Sequence, residues 1–377
     1  MRSAFNGYID EIPFILVDNF ENDLNKCAYF LSHYHGDHVL GIAGDLFRRK
    51  LKRNNVFIYA SKVTVAIIRE ECPRLTPYLK TLELGKNTLS INIEGKEEFL
   101  NVTTLPAGHS LGSVMYLFEY NKKQILYTGD FRISRNSVAK YNHLQHKGEP
   151  INVDVLYVDT TFQSVPSFPK RSDVVRNVVF HIKNWLNLSE KNRVILLTSA
   201  GYGYESVCNV IYEAMGIKTC VGESFWNIYS QFPKEIYGMT NDTSSRIHLC
   251  TKYRYKSDPS PFELQIYFSA LKWGDKLNIE EDFLTFKENR IEVCFSTHCG
   301  RDELLNFINY LKPKRIVGFP DEFDSDSRLN IFQDGDLSEE PMEEFKISPK
   351  KRRVVKKGEV RVGKKVSVSE LKEAFEW

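Results

Sequence analysis

The run Phe30-Leu31-Ser32-His33-Tyr34-His35-Gly36-Asp37-His38 constrains this chain more than any other segment, because it sets three imidazoles and a carboxylate directly after an apolar stretch. Side chains alternate along extended backbone, so His33 and His35 share one face. A turn at Gly36 then brings Asp37 and His38 round to a second point close by. One segment can therefore feed two adjacent divalent ions, the His pair at one and Asp37 with His38 at the other, as two-metal hydrolysis requires. A solvated polar loop would place these ligand types in this order only by accident.

Two ions need more donors, and the chain offers them where apolar runs end. His109 closes Thr103-Thr104-Leu105-Pro106-Ala107-Gly108-His109, where Gly-bearing backbone lets a loop approach an ion closely. Asp130 closes Ile125-Leu126-Tyr127-Thr128-Gly129-Asp130, a buried-strand pattern ending on a carboxylate able to bridge both ions. Asp18 follows Phe14-Ile15-Leu16-Val17 in the same way. It reads as an acceptor that fixes the tautomer of a ligand His, since ligand imidazoles usually donate their second N–H to such a group.

Bulk properties narrow the classes. At 377 residues the chain can bury a large core or hold two domains. No basic N-terminal segment leads into a long apolar run, and no apolar stretch approaches the ~20 residues a bilayer span needs, so the expectation is a soluble, intracellular protein. Seven scattered cysteines point to reduced thiols rather than a disulfide framework. The net charge of +2 hides an asymmetry. Residues 321–345 carry ten acids against one Arg, whereas residues 346–377 carry eleven Lys and Arg against four Glu. The acidic stretch reads as a disordered linker. The basic one, with Pro349-Lys350-Lys351-Arg352-Arg353, reads as a nuclear localisation signal or a DNA-tethering arm. The remaining body is only mildly basic, so any nucleic-acid binding must come from a local patch.

At about Asp159 the chain changes character. β-rich segments precede it, and strand alternates with helix after it. The apolar spacing of Val174, Val175, Val178, Val179, Ile182, Trp185 and Leu186 predicts a helix over Asp173–Leu188. Arg193–Leu197 reads as a short buried strand, and Ser206–Met215 as an amphipathic helix. The turn between them, Ser199-Ala200-Gly201-Tyr202-Gly203-Tyr204-Glu205, is of the kind that presents free amides to an anion. Ser199, Gly201 and Tyr202 are therefore candidates for holding a DNA phosphate.

These residues resemble the metallo-β-lactamase-fold DNA nucleases of the β-CASP group, over Phe5 to about Pro320. The most specific pieces are Phe30–His38, Leu105–Ser113, Leu126–Arg132 and Tyr157–Phe162. The resemblance implies an α/β protein, a four-layer αββα metallo-β-lactamase fold with an inserted β-CASP α/β lobe. Its core would comprise residues 1–158 and 290–320 and its lobe residues 159–289. It assigns His33, His35, His109 and Asp130 to one metal and Asp37, His38 and Asp130 to a second. Zn2+ is expected at one or both positions, with Mg2+ or Mn2+ possible at the second. Asp159, in Tyr157-Val158-Asp159-Thr160-Thr161-Phe162, becomes a carboxylate beside the metals, and His298, in Cys294-Phe295-Ser296-Thr297-His298, an active-site residue. Val317 stands where DNA-directed members carry Val and RNA-processing members His. The residues after His298 depart from the usual small hydroxyls, and Cys299 could thereby alter contacts to nucleic acid. A structural zinc held by two His and two Cys in related lobes is matched only by Cys220, His248 and Cys250, with Asp258, Glu263 or a residue brought in from elsewhere to complete it. The implied activity is phosphodiester hydrolysis at DNA overhangs and hairpins in double-strand-break end joining. Implied partners are DNA ends, a DNA-dependent protein kinase and end-joining factors, in the nucleus and away from membranes. A 5′-exonuclease would share every ligand.

Overall fold

The computed structural model describes residues 5–23, 25–251, 259–274 and 283–325. The basic tail, the linker beyond Ser325 and Asp258 lie outside these residues.

Two sheets face each other. The first is parallel, β1 (Ile15–Val17), β2 (Ala28–Leu31), β3 (Ile58–Ser61) and β4 (Leu79–Leu82), in that spatial order. The second begins as an antiparallel meander of β5 (Gly85–Ile93), β6 (Lys96–Pro106), β7 (Val114–Tyr120) and β8 (Lys123–Tyr127). A small hairpin of β9 (Gln145–His146) and β10 (Glu149–Pro150) then leads to β11 (Val155–Asp159), which joins β8 in parallel.

Period-2 alternation divides the strands between layers. Ile15, Val17, Ala28 and Phe30 face the second sheet, meeting Tyr116, Phe118, Ile125, Tyr127 and Tyr157. Their neighbours Leu16, Tyr29 and Leu31 turn the other way onto α1 (Asp45–Asn54) and α2 (Lys62–Glu71) through Phe47, Leu51, Val65 and Ile68. On the second sheet Met115, Leu117, Leu126, Leu156 and Val158 point outward to Leu304, Phe307, Ile308 and Leu311. The helix–sheet–sheet–helix order expected from sequence is the one formed. Because both faces of every central strand are buried, the strands read as continuous apolar runs.

The inserted lobe is built on a third sheet. Its strands are β12 (Arg193–Thr198), β13 (Thr219–Cys220), β14 (Met239–Thr240), β15 (Ile247–Thr251), β16 (Glu263–Ser269), β17 (Leu284–Lys287) and β18 (Arg290–Cys294), in spatial order β14-β13-β15-β12-β16-β18-β17. All pair in parallel except the edge strand β17. Crossovers through α3 (Arg171–Leu188), α4 (Glu205–Met215) and α5 (Glu223–Tyr229) cover one face, where Val194 and Leu196 meet Val174, Val178, Val207 and Ile211. The predicted helices and strand fall within a few residues of α3, β12 and α4. The return to the core comes later than expected. Residues 290–294 are β18, hydrogen-bonded to β16 inside the lobe sheet, so only α6 (Arg301–Leu311) and β19 (Arg315–Phe319, parallel to β11) close the core. All seven cysteines are free thiols. Among the described residues no helix is long and apolar enough to cross a membrane.

Candidate active site

Four segments at strand ends on one edge of the paired sheets converge with a fifth that leaves the lobe sheet. β2 ends at Leu31, and the next residues carry His33, His35, Asp37 and His38. The loop after β6 carries His109, the loop after β8 Asp130, the end of β11 Asp159, and the segment after β18 His298. Gly129 makes the Asp130 approach possible. Its φ is +53°, and a Cβ there would stand 2.7 Å from Ser32 Oγ.

Asp130 is the hub. One of its oxygens faces His38 Nε2 at 3.2 Å. The other faces His33 Nε2 at 3.5 Å, His109 Nε2 at 3.6 Å and His298 Nε2 at 3.8 Å. His35 adds Nδ1, 2.9 Å from His109 Nε2. Asp37, 41% exposed, lies 3.7 Å from His38 Nε2 on the far side. His33, His35, His109 and Asp130 thus form one compact donor group and Asp130, Asp159 and His298 another, while Asp37 pairs only with His38 and belongs to no close donor group among the described residues.

Each imidazole is aimed by its other nitrogen. His38 Nδ1 donates to Asp18 at 2.9 Å, His35 Nε2 to the Tyr202 carbonyl at 3.1 Å, His109 Nδ1 to the Thr297 carbonyl at 3.0 Å, and His298 Nδ1 to Asp159 at 2.7 Å. Ser32 Oγ lies 3.0 Å from His33 Nδ1. Such acceptors fix tautomer and ring direction around metal ligands. Asp18 lies close enough to His33 and His38 to count as a donor itself. Its oxygens are already taken, however, by the Ser32 amide (2.7 Å) and hydroxyl (2.5 Å), Tyr127 Oη (2.8 Å) and His38, so it orients rather than ligates, as the sequence suggested.

The electrostatics divide the imidazoles into a pair held neutral and a pair held charged by the carboxylates beside them. Burial, then the charge of His33, pushes His35 down to about 3. Burial, then His33, likewise holds His109 well below the usual imidazole range. Both are neutral, as ligands must be. Burial works against charge at His38 as well, but Asp130 and Asp18 outweigh it and hold His38 well above that range. Asp159 and Asp130 raise His298 to about 9 against its own burial. Despite burial, His38 and His298 keep Asp130 ionised well below the usual carboxylate range. The Nε2 atoms of His33 and His38 are buried with no hydrogen-bond partner. Two orphaned imidazole nitrogens flanking an anionic carboxylate fit divalent ions of the zinc class.

Comparison with known proteins agrees with this geometry. The family described as DNA repair metallo-beta-lactamase matches residues 233–319. Protein artemis of Rattus norvegicus is 30% identical over 343 residues, covering 82% of this chain and 48% of its own length. DNA cross-link repair protein SNM1 of Arabidopsis thaliana is 26% identical over 77% of this chain and 60% of its own. The 5' exonuclease Apollo of Danio rerio is 30% identical over 46% of this chain and 30% of its own. The chain belongs to the metallo-β-lactamase/β-CASP family, among its Artemis-like members. It spans about half the length of the artemis protein it matches.

Within this Artemis-like frame some expected residues stand in place and others elsewhere. Asp159 is where the resemblance put it, in a close donor group with Asp130 and His298, and its oxygens accept from His298 Nδ1 and from the Thr161 amide and hydroxyl. The Ser199–Tyr202 turn does reach the site, through the Tyr202 carbonyl on His35. It offers less to an anion than expected, because the buried Glu205 carboxylate takes the Gly203 amide at 3.0 and 3.1 Å. Ser199 Oγ pairs with Tyr204 Oη and Gly201 packs near Phe225. Val317 packs, partly buried, against the core between the sheets. Cys299 is buried among Phe131 and Leu304, which removes it from any contact with nucleic acid. Cys220 and His248 are cross-strand partners and Cys250 lies two residues on. Yet His248 Nε2 bonds the Ser245 carbonyl at 2.7 Å, and these three are not among the close donor groups of the described residues.

The sequence reading passed over Ser32, Tyr127, Thr161 and Glu205, which hold the ligands' supports. Ser32 and Tyr127 sit inside the ligand-bearing segments themselves, and a hydroxyl so placed was the available signal. Arg132 was also missed. It is buried, donates to Glu303 at 2.9 Å and to the Ser296 and Pro169 carbonyls, and so pins the Asp130 loop to the His298 segment.

Proposed function

We propose that this chain is a metal-dependent DNA nuclease that processes DNA ends, overhangs and hairpins for double-strand-break repair by end joining, in the nucleus. The observation that carries the reading is the donor cluster on both sides of Asp130, in a chain similar to protein artemis over 82% of its length. Zn2+ suits the His-rich group, and the side of the partly exposed Asp37 and the buried His38 suits Zn2+, Mg2+ or Mn2+. Bound ions would neutralise charge developing on the phosphoryl and leaving oxygens and make water a better nucleophile.

The chain's own residues supply the rest. Asp37, the exposed carboxylate, orients the attacking water. His298, held by Asp159 at 2.7 Å and protonated around neutrality, stands ready to donate a hydrogen bond or a proton to a phosphoryl or leaving oxygen. Asp18, Tyr202 and Thr297 keep the ligand rings from turning. DNA ends, a DNA-dependent protein kinase and end-joining factors are the partners this reading assigns. The second reading is a 5′-exonuclease, favoured by the similarity to Apollo over 46% of the chain.

Purified full-length chain should be assayed on 5′-labelled hairpin, overhang and blunt duplexes and on RNA of matching sequence, with and without chelator. Metal-dependent opening of hairpins supports the first reading, and stepwise loss of 5′ nucleotides the second. Cleavage of RNA in preference to DNA would overturn both.

A further inference from the structure

Behind the cluster lies a groove of about 950 Å3 between the loop after Asp130 and the first turns of α3 and α6. Five cationic side chains line it, Arg132, Arg135, Lys140, Lys170 and Arg171, against two carboxylates, Asp302 and Glu303. Those carboxylates are engaged already, Asp302 with Arg135 and Glu303 with Arg132, so the wall keeps an excess of positive charge. Arg132 Nη1 and Arg171 Nε both donate to the Ser296 carbonyl, at 3.0 and 3.3 Å, which draws two guanidiniums together. Arg171 Nη2 is buried and has no hydrogen-bond partner. Arg171 also opens α3, an 18-residue helix whose N-cap Lys170 makes no side-chain cap, so the positive end of the helix faces the same space.

We propose that this groove is a second phosphate-binding site, taking backbone phosphates of the nucleic-acid strand that is cut at the Asp130 cluster. A planar guanidinium with a spare N–H, a neighbouring lysine and a helix N-terminus together match a tetrahedral phosphate anion better than a carboxylate or an apolar ligand. The connection to the site is direct. Arg171 also lines a smaller opening of about 60 Å3 whose wall includes His109 and Gly203, and Ser296, which both arginines hold, is two residues from His298. Burial and the nearby Arg132 charge push Arg171 down to about 9, a strain that an anion in the groove relieves.

The inference rests on the DNA-cleaving reading, and its test separates the two. Full-length protein in chelator, where no cleavage occurs, is titrated with a fluorescent 5′-overhang duplex at several salt concentrations, and with inorganic tripolyphosphate. Arg171→Gln removes the buried donor, and the exposed Lys170→Glu keeps the test valid should Arg171→Gln fail to fold. Lys170→Glu is expected to weaken DNA binding about tenfold and to lower the salt slope by about 1, as loss of one phosphate contact does. Melting temperature and metal content should stay at the wild-type values. Unchanged affinity and slope would overturn the proposal. So would tripolyphosphate binding that depends on Lys170 while DNA binding does not, since the groove would then serve a free polyphosphate. If DNA binding depends on Lys170 but no substrate is cut with metal restored, the site stands and only the nuclease reading fails.

Discussion

Replacing Arg132 with Met should destabilise the protein through one identifiable pair. The Arg132 and Glu303 side chains are 4% and 9% exposed and meet at 2.9 Å, and Arg132 also donates to two buried carbonyls at 3.0 and 3.1 Å. Breaking a buried pair from one side strands the partner's charge and costs about 3–5 kcal/mol. With an unfolding entropy of ~2.1 cal/mol/K per residue over about 300 ordered residues, that loss lowers Tm by roughly 5–8 °C. Glu303→Leu should cost a similar amount. The double variant Arg132→Met/Glu303→Leu should lose clearly less than the sum, because neither charge is left alone. Calorimetry on the chelated proteins measures all three without a contribution from bound metal. Because Arg132 anchors Ser296, two residues before His298, the single variants should also hold divalent ions more weakly. Single losses under about 1 kcal/mol, or strictly additive losses, would refute the reasoning.

Other substitutions probe the supports. Asp18→Asn puts an amide NH2 where four donors converge, and the metal affinity of the His38 side should fall by about 10–100-fold, read by competition with a chromogenic chelator. Glu205→Gln should loosen the Gly203 turn and with it the Tyr202 carbonyl on His35. The visible spectrum of the cobalt-substituted protein should shift, and an unchanged spectrum and affinity would contradict this positioning role. Removing residues 346–377 should reduce nuclear accumulation and weaken DNA binding chiefly at low salt, with cleavage of saturating substrate unaffected. Metal analysis of His33→Ala/Asp37→Asn should find no residual zinc, since Cys220, His248 and Cys250, though neighbours on adjacent strands, form no close donor group among the described residues; a full equivalent would reverse that assignment.

Local rules made much of this readable. A histidine-dense run after an apolar strand, and Asp or His at later strand ends, are short-range patterns, and the fold had only to bring those ends to one edge. The layer order came from the family resemblance, because runs such as Ile15-Leu16-Val17 are buried on both faces and show no alternation that would assign a face. What escaped were side-chain placements that composition and spacing do not carry. The Gly-rich turn before α4 has the composition of an anion site, but Glu205, its own first helical residue, folds back and occupies the amide. Cys299 sits in a segment of the right sequence, and only packing decides that its side chain enters the core. The Arg132–Glu303 pair spans 171 positions, beyond any spacing rule. The lobe sheet runs about five residues past the expected boundary because the pairing partner of β18, the lobe strand β16, is not evident from the sequence of β18 itself.

Cleavage by Asp37→Asn tests the central claim most directly. The substitution removes a half-exposed anionic donor without changing volume and touches no core contact. The two-ion account predicts that turnover of a labelled overhang duplex falls by about 10³-fold or more, the scale of losing a group that acts on the developing charge, while melting temperature and DNA affinity stay at the wild-type values. Turnover near wild type in metal-stripped, metal-restored buffer would contradict it.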